Sequence, residues 1–386
     1  MNVPLYAGLA LAAVWVWHAV AGAAGMRTVP DIAKPEFIPA EDFSGPRVSI
    51  IVPAKDEAAS IEQAARSLLA IEYPNLEVIA LDDRSTDSTG AILDRVAGES
   101  AGRMRARHIA SLPAGWLGKT HAMHLGASEA EGEWLLFTDA DVVHRRDALR
   151  RAVAYAERER ADHLVLLPTV IMEAPGERLL VSFFQSLFIF AHRPWKVADP
   201  KAKDSIGVGA FNLVRRTAYE VMGGYERLRL AIVDDMRLGE EIKRHGFAQR
   251  AVFGHDLIRV RWAEGANGVV NNLTKNVFAE MKYNTAYALF VTAALAAMQL
   301  GPWAGTLASS GWSRVPYAVA LGSLLWSYAQ SARRSRVSMA YAALHPLAAV
   351  VLTYTFLRSI AVTLWQGGVV WRGTKYSLEE VRRFSN

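Results

Sequence analysis

The stretch WLLFTDADVVHRRD, residues 134–147, decides the reading of the chain. Four apolar residues, Trp134 to Phe137, have the length and composition of a short buried strand, and they run straight into Asp139 and Asp141. On an extended chain, residues two apart share a face. The two carboxylates therefore stand together at the end of a strand, where they repel each other unless a cation lies between them. Hard oxygen donors suit Mg²⁺ or Mn²⁺, which commonly complete their shell with substrate phosphate oxygens. Two readings of the pair stay open at this point. It holds a metal and through it a diphosphate, or it is a solvated pair that caps the helix following it.

Working outward, the same strand–helix alternation fills residues 45–265. RVSIIVPAKDE is a strand, and a helical stretch follows it through Leu69. LEVIALDDRS is a second strand, and DSTGAILDRVAGES a helix opened by Asp87 and Ser88, good residues for that place. EWLLFTDAD leads into the helical RRDALRRAVAYAERERA. Such alternation predicts an α/β fold with a mostly parallel sheet and helices on both faces. In open α/β sheets the ligand crevice lies beyond the carboxyl ends of the strands, and Asp82, Asp83, Asp139 and Asp141 all sit there. Neither a Walker loop nor a G-x-G-x-x-G turn occurs, which excludes a P-loop ATPase and a dinucleotide dehydrogenase of the usual kind.

Hydropathy divides the rest. Residues 3–25 carry no Asp, Glu, Lys or Arg over a length that crosses a bilayer, and Trp15 and Trp17 suit a membrane span better than a cleaved leader. Residues 285–301, 315–330 and 338–366 are further apolar segments. The domain order expected is an N-terminal transmembrane helix (1–27), a proline-bearing linker (28–46), a catalytic domain (47–280), a C-terminal transmembrane region (281–370) and a basic tail (371–386). Within the catalytic domain, residues 178–197 join Phe183, Phe184, Leu187, Phe188 and Phe190 to flanking Arg178, Arg193 and Lys196, the composition of an interfacial helix. The positive-inside rule puts Arg27 and residues up to about 284 on the cytoplasmic face of the cell membrane, with the Arg333–Arg336 loop on the same side. If 338–366 crosses once, the basic tail falls outside, so either one apolar segment is re-entrant or interfacial or the number of spans differs.

The formal charge of +5 fits nucleic acid, anionic lipid or an anionic substrate, and no nucleic-acid-binding module is recognisable. The absence of cysteine excludes disulfides and thiolate metal sites. The series SIIVPAKDE, LDDRSTDST, TDAD and VDDMRLGEEIKRHG, in this order over residues 47–262, resembles the family 2 glycosyltransferases of the GT-A fold. The membrane layout and the tail GGVVWRGTKYSL are similar to the ceramide-glucosyltransferase-like branch.

The resemblance implies roles. Pro53, Ala54, Glu57 and Asp83 would form the nucleotide pocket, with Asp83 on the base and Lys119 near the diphosphate. Asp139 would contact the ribose, and Asp139 and Asp141 the metal, Mn²⁺ or Mg²⁺. Asp235, with Asp234 beside it, falls where the family carries its general base; a helix-capping role is the alternative. His255, after a predicted strand, is a further candidate metal ligand, or an ordinary surface histidine. Arg261-Trp262 matches the end of the (Q/R)xxRW motif, but Ile258 stands at its first position, which speaks against processive synthesis. The expected activity is a metal-dependent inverting transfer of a single hexose from a nucleotide sugar, a UDP-hexose, to a membrane lipid hydroxyl. Hopanoid, carotenoid, sphingoid and glycerolipid acceptors all remain open. The competing readings are a processive polysaccharide synthase and a catalytically silent nucleotide-sugar-binding membrane scaffold.

Overall fold

The computed structural model describes residues 3–384. Helix α1 (Val3–Met26) opens the chain and is apolar on every side. The expected alternation follows, with β1 (Val48–Ala54), α2 (Ile61–Leu69), β2 (Leu76–Asp83), α3 (Thr89–Gly98), β3 (Met104–Ile109), α4 (Gly118–Glu129) and β4 (Trp134–Phe137). Beyond the acidic pair come β5 (Val143–His144), α5 (Ala148–Arg158), β6 (His163–Leu167), β7 (Thr169–Val170) and α6 (Pro175–His192). Then come β8 (Asn212–Arg215), α7 (Arg216–Val221), α8 (Gly224–Arg227), α9 (Asp234–Arg244), β9 (Gln249–Phe253) and β10 (Ile258–Val260).

Seven strands form one sheet in the order β3-β2-β1-β4-β8-β6-β9. It is mostly parallel; β8 alone runs against both its neighbours. Strand β1 is buried along its whole length, as a central strand covered on two faces must be. Its alternate residues serve different layers. Val48, Ile50 and Val52 pack in one core with Ile61, Leu68, Leu93 and Ala152 of α2, α3 and α5. Ile51 packs in the other with Met123, Ala127, Leu238 and Ile242 of α4 and α9. Strand β2 divides in the same way, Val78 and Ala80 to the first core and Ile79 and Leu81 to the second. Carried one step further, this alternation sends Asp82 toward α3 and Asp83 toward α4. Pro53 lies two residues beyond Ile51, which accepts the Thr138 N–H and is the last β1 residue paired with β4, so a missing N–H there leaves the ladder intact.

Contacts divide the chain into two compact units. Residues 29–171 and 194–261 make the sheet unit; 3–28, 172–193 and 262–384 make the other. The proline-bearing stretch read as a linker is packed on the sheet unit. Ile32 is fully buried, Asp31 bridges to Phe253, and Arg151 donates to the carbonyls of Ile32 and Lys34. Prolines prevent regular structure there, but the backbone groups still find partners.

In the second unit α6 is followed by α10 (Gly265–Glu280), α11 (Thr285–Ala308), α12 (Arg314–Arg334) and α13 (His345–Trp365). A hairpin of β11 (Gly368–Trp371) and β12 (Thr374–Ser377) and a short α14 (Leu378–Arg383) end it. Helix α6 does not lie free. Phe183 is buried against the His345 ring, Phe184 stacks on Trp262 with centroids 5.0 Å apart, and Phe190 packs on Trp15. Among the described residues, three helical segments are long and apolar enough to cross a membrane: 3–26, 285–308 and 339–365. Helix α12 is not among them, yet it runs parallel to α1. Gly8 abuts Pro316 and Tyr317 at one end, and Arg27 shares a cavity with Arg334 at the other.

Candidate active site

The loops leaving β1 and β2 are built as one piece. Asp56 and Arg84 both take left-handed backbone, with φ of 52° and 56°. Such conformations persist where the surroundings over-determine them. Here the Asp56 N–H donates to Ser85 Oγ at 3.0 Å, and the Thr86 N–H donates to Asp56 Oδ1 at 2.7 Å. The Glu57 N–H donates to Thr89 Oγ1 at 2.8 Å and the Ala58 N–H to Asp87 Oδ2 at 3.1 Å. DRSTDST is thus a clasp that fixes the turn after Pro53 and Ala54.

Strand alternation separates the two acids that close β2. Asp82 points to α3, where its Oδ2 lies 3.0 Å from His108 Nδ1, while its Oδ1 accepts the Ser85 N–H at 3.2 Å. His108 also reaches Asp94, and the hydrogen bonds to Asp82 and then Asp94 raise its pKa. Asp83 points to α4. It is almost fully buried, held by Arg84 through two bonds of 2.7 and 3.0 Å, and a Cβ on Gly118 would stand 1.9 Å from its Oδ2. Only glycine lets helix α4 begin there. Beside it His121 is buried, its ring 5.5 Å from that of Trp116 and its Nδ1 without a partner. Burial lowers its pKa, against the opposing field of Asp83. The sequence assigns His121 no function; the structure sets its orphaned buried nitrogen close to Asp83.

The acidic centre lies at the end of β4, two strands from β2. Lys119, in the first turn of α4, places Nζ 2.8 Å from Asp139 Oδ1 and 3.3 Å from Asp234 Oδ1. Thr120 ties that turn to the approach to α9 by donating to the Arg229 carbonyl at 2.7 Å. Burial pulls the Lys119 ammonium down, but Asp139, Asp234 and Asp235 more than offset it and hold it well above its usual range. The two acids of VDD differ. Asp234 is buried and also accepts the Tyr225 hydroxyl at 3.3 Å; burial pushes it up to about 6, against the field of Lys119. Asp235 is half-buried, its Oδ2 accepts the Gly209 N–H at 2.8 Å, and burial raises its pKa.

Gly209 joins both acidic motifs. Its carbonyl accepts the Asp139 N–H at 3.0 Å while its N–H donates to Asp235. A Cβ there would stand 2.3 Å from Asp139 Oδ2. The segment is positioned from behind by a buried polar set that no sequence motif announces. His163 Nε2 lies 3.1 Å from Asn212 Oδ1, and its Nδ1 lies 2.6 Å from Gln249 Nε2. Gln249 Oε1 accepts the Ile206 N–H and Asn212 Oδ1 accepts the Val208 N–H. We expect Gly209→Ala to lower turnover by about 10²-fold, the order reached when reacting groups are misplaced by an ångström. Initial rates beside a thermal melt check this; a wild-type rate would show that the contact yields freely.

The donor set fits a divalent ion held partly by substrate. Burial, Asp139 and Glu57 push Asp141 up to about 7, against the weaker opposing field of Lys119. No group of three His, Asp or Glu converges as a metal cage among the described residues. Two carboxylates completed by phosphate oxygens and water is the arrangement Mg²⁺ ordinarily takes. His255 is not brought to this centre. It follows β9 at the sheet's edge, three strands from β4, and its Nδ1 lies 2.7 Å from Asp31 Oδ2. The structure therefore brings together Glu57, Lys119, Asp139, Asp141, Asp234 and Asp235, with Asp83 two strands away on the same edge, and leaves His255 apart.

Comparison with known proteins agrees with this architecture. The family model described as Glycosyl transferase family 2 matches residues 49–223. The 4,4'-diaponeurosporenoate glycosyltransferase of Staphylococcus aureus (strain USA300) is 22% identical over 346 residues, 88% of this chain and 90% of that protein. That of Staphylococcus haemolyticus (strain JCSC1435) is 23% identical over 233 residues, so that the match spans 60% of each chain. Among solved structures, the mannosyltransferase PcManGT from Pyrobaculum calidifontis, in complex with GDP-Man and Mn2+, superposes with a TM-score of 0.56. At 21% identity, the alignment covers 94% of this chain and 99% of that one. Residues 49–223 thus match the family 2 glycosyltransferases, and the mostly parallel sheet with its acidic strand ends is that of the GT-A fold.

Proposed function

We propose that this protein is an inverting glycosyltransferase that moves one hexose from a nucleotide sugar to the hydroxyl of a membrane lipid. The observation that carries the reading is the Gly209 bridge, which holds Asp139 and Asp235 in one cluster around Lys119. Asp83, with Arg84, Trp116 and His121 around it, receives the base of the donor, for which a UDP-hexose is our first choice. Pro53, Ala54 and Glu57 complete that pocket. Asp139 and Asp141 hold Mn²⁺ or Mg²⁺, whose contribution is to neutralise the leaving diphosphate. Lys119 adds a positive charge near the same oxygens. Asp235 takes the acceptor proton as the acceptor oxygen bonds to the anomeric carbon and the carbon–oxygen bond to the diphosphate breaks. Asp234, bound to Lys119 and Tyr225, keeps that ammonium in place.

A lipid acceptor is supported by three helices of membrane-crossing length and by the relatives named for 4,4'-diaponeurosporenoate. The catalytic domain is read as cytoplasmic. Lys275 lies over the Trp371 ring at 4.5 Å and Arg382 donates to the Tyr283 carbonyl, so the basic tail lies on the side from which α11 departs. This favours 338–366 as a segment that does not cross once. The polysaccharide-synthase reading stays weaker because Ile258 sits in β10 where Gln or Arg would open (Q/R)xxRW.

The deciding experiment is mass spectrometry of lipid extracts from cells with and without the protein; a new lipid heavier by one hexose is expected. Extracts with no glycosylated lipid but a new polymer would overturn the reading in favour of a synthase. For the donor pocket, Asp83→Ala should weaken nucleotide-sugar binding by at least tenfold in calorimetry; unchanged affinity would remove Asp83 from the pocket. Replacing Phe184, Leu187 and Phe188 with Ser should slow transfer to membrane-presented acceptor more than donor hydrolysis. Equal loss of both would assign that part of α6 to folding alone.

A further inference from the structure

A second binding site lies wholly within the helical unit and takes no part in sugar transfer. Between α1, α6 and α12 is a cavity of about 110 Å³, and a groove of about 530 Å³ adjoins it along α1 and α12. The two share Ala19, Ala23, Arg27 and Trp326, so they form one continuous space. Its two ends differ in chemistry. Away from the shared Arg27 the groove is mostly apolar, lined by Val16, Val20, Ala24 and Gly322 with the small hydroxyl of Ser323 beside them. The cavity is lined by Arg27, Arg334, Gln330 and Ser331.

Neither arginine has a carboxylate partner among the described residues, and the last turns of α1 and α12 hold no acid. Ser331 is 3% exposed, and its Oγ has no hydrogen-bond partner. A buried hydroxyl left unpaired is unusual in a native protein and points to a missing acceptor, and the exposed Arg27 and half-buried Arg334 line the same cavity. The space suffices for a phosphate-sized group or several waters. We propose that this cavity binds the phosphate headgroup of an anionic phospholipid, with one acyl chain lying in the α1–α12 groove. Arg27 and Arg334 supply the planar donors that suit a phosphate, and Ser331 adds a neutral hydrogen bond. The helix ends contribute nothing favourable. Both helices present their C-termini here, where the backbone dipole is negative, so anion binding must depend steeply on the two side chains. The inference rests on α1 lying in a membrane and is independent of the sugar chemistry.

The test is native mass spectrometry of the full-length protein in detergent, offered phosphatidylglycerol, phosphatidylcholine or inorganic phosphate. Wild-type protein should retain phosphatidylglycerol at least tenfold better than phosphatidylcholine, and equimolar phosphate should not displace it. The Arg27→Gln/Arg334→Gln pair should abolish that preference. Gly322→Leu tests the groove separately. A Cβ at Gly322 meets nothing within 4 Å, and leucine is the better helix former, so this variant keeps its fold while filling the chain's place. It should lose phosphatidylglycerol with both arginines intact. Equal retention of the two lipids, an undiminished preference in the double variant, full binding by Gly322→Leu, or displacement by phosphate alone would each overturn the proposal.

Discussion

Asn at position 235 is expected to lower kcat by about 10²- to 10⁴-fold, the usual loss for a positioned base, while donor affinity stays within a few-fold of wild type. The amide cannot accept the acceptor's proton, yet Asn keeps the size of Asp and can still receive the Gly209 N–H through its carbonyl oxygen. Gly209, and with it Asp139, therefore stays in place. Asp234→Asn should behave differently. It removes one of the two carboxylates ion-paired with Lys119 and leaves one carbonyl oxygen where two oxygens served Lys119 and the Tyr225 hydroxyl, so donor binding and thermal stability should fall together with rate. Initial rates, calorimetry with the nucleotide sugar and a thermal melt on both variants separate the two acids. Normal turnover by Asp235→Asn, or donor binding lost as completely as in Asp83→Ala, would remove Asp235 from the role of base.

Removing the divalent ion should be as severe. Neutralising a leaving diphosphate contributes several kcal/mol, about 10³-fold in rate, so EDTA should silence the enzyme and Mn²⁺ or Mg²⁺ restore it. Asp141→Asn should raise the metal concentration needed for half-maximal rate, because it removes one of only two carboxylates proposed to hold the ion. His255→Gln should leave that concentration unchanged, since His255 is engaged with Asp31 at the far edge of the sheet. Full activity in chelator would sink the metal role outright, and a large shift with His255→Gln would reopen its place as a ligand.

Much of this protein is legible along the chain. Apolar runs of strand length ending in Asp83 and Asp139 indicate the sheet and its functional edge, because alternation and strand ends are local properties. The separation of Asp82 from Asp83 follows from the same alternation once it is known which helix covers which face. What joins the motifs is not local. The Gly209 bridge to Asp235 spans 26 residues, and the bond of Gln249 to His163 spans 86. Glycine 209 looks in sequence like any turn glycine, and His163, Asn212 and Gln249 form no pattern. His255 misleads for the opposite reason: a histidine at a strand end resembles a ligand until the strand order puts it three strands away. The prolines of 28–46 signal irregular backbone correctly and conceal that Ile32 is buried.

The reversed strand β8 has a consequence for engineering. It divides the sheet into two parallel blocks drawn from separate stretches of chain. One, β3-β2-β1-β4, carries the acids proposed to face the donor; the other, β6 and β9, frames α9 and the proposed base. The first block meets β8 along one short seam, Trp134 to Phe137 against Arg215 to Asn212, closed at its end by the Arg215 guanidinium over the Trp134 ring at 4.5 Å, and the second pairs with the other side of β8. A chimera that takes its nucleotide half from one family member and its acceptor half from another has a natural junction there. Conserving those four pairs and the Gly209 bridge would let donor and acceptor preferences be exchanged as separate cassettes.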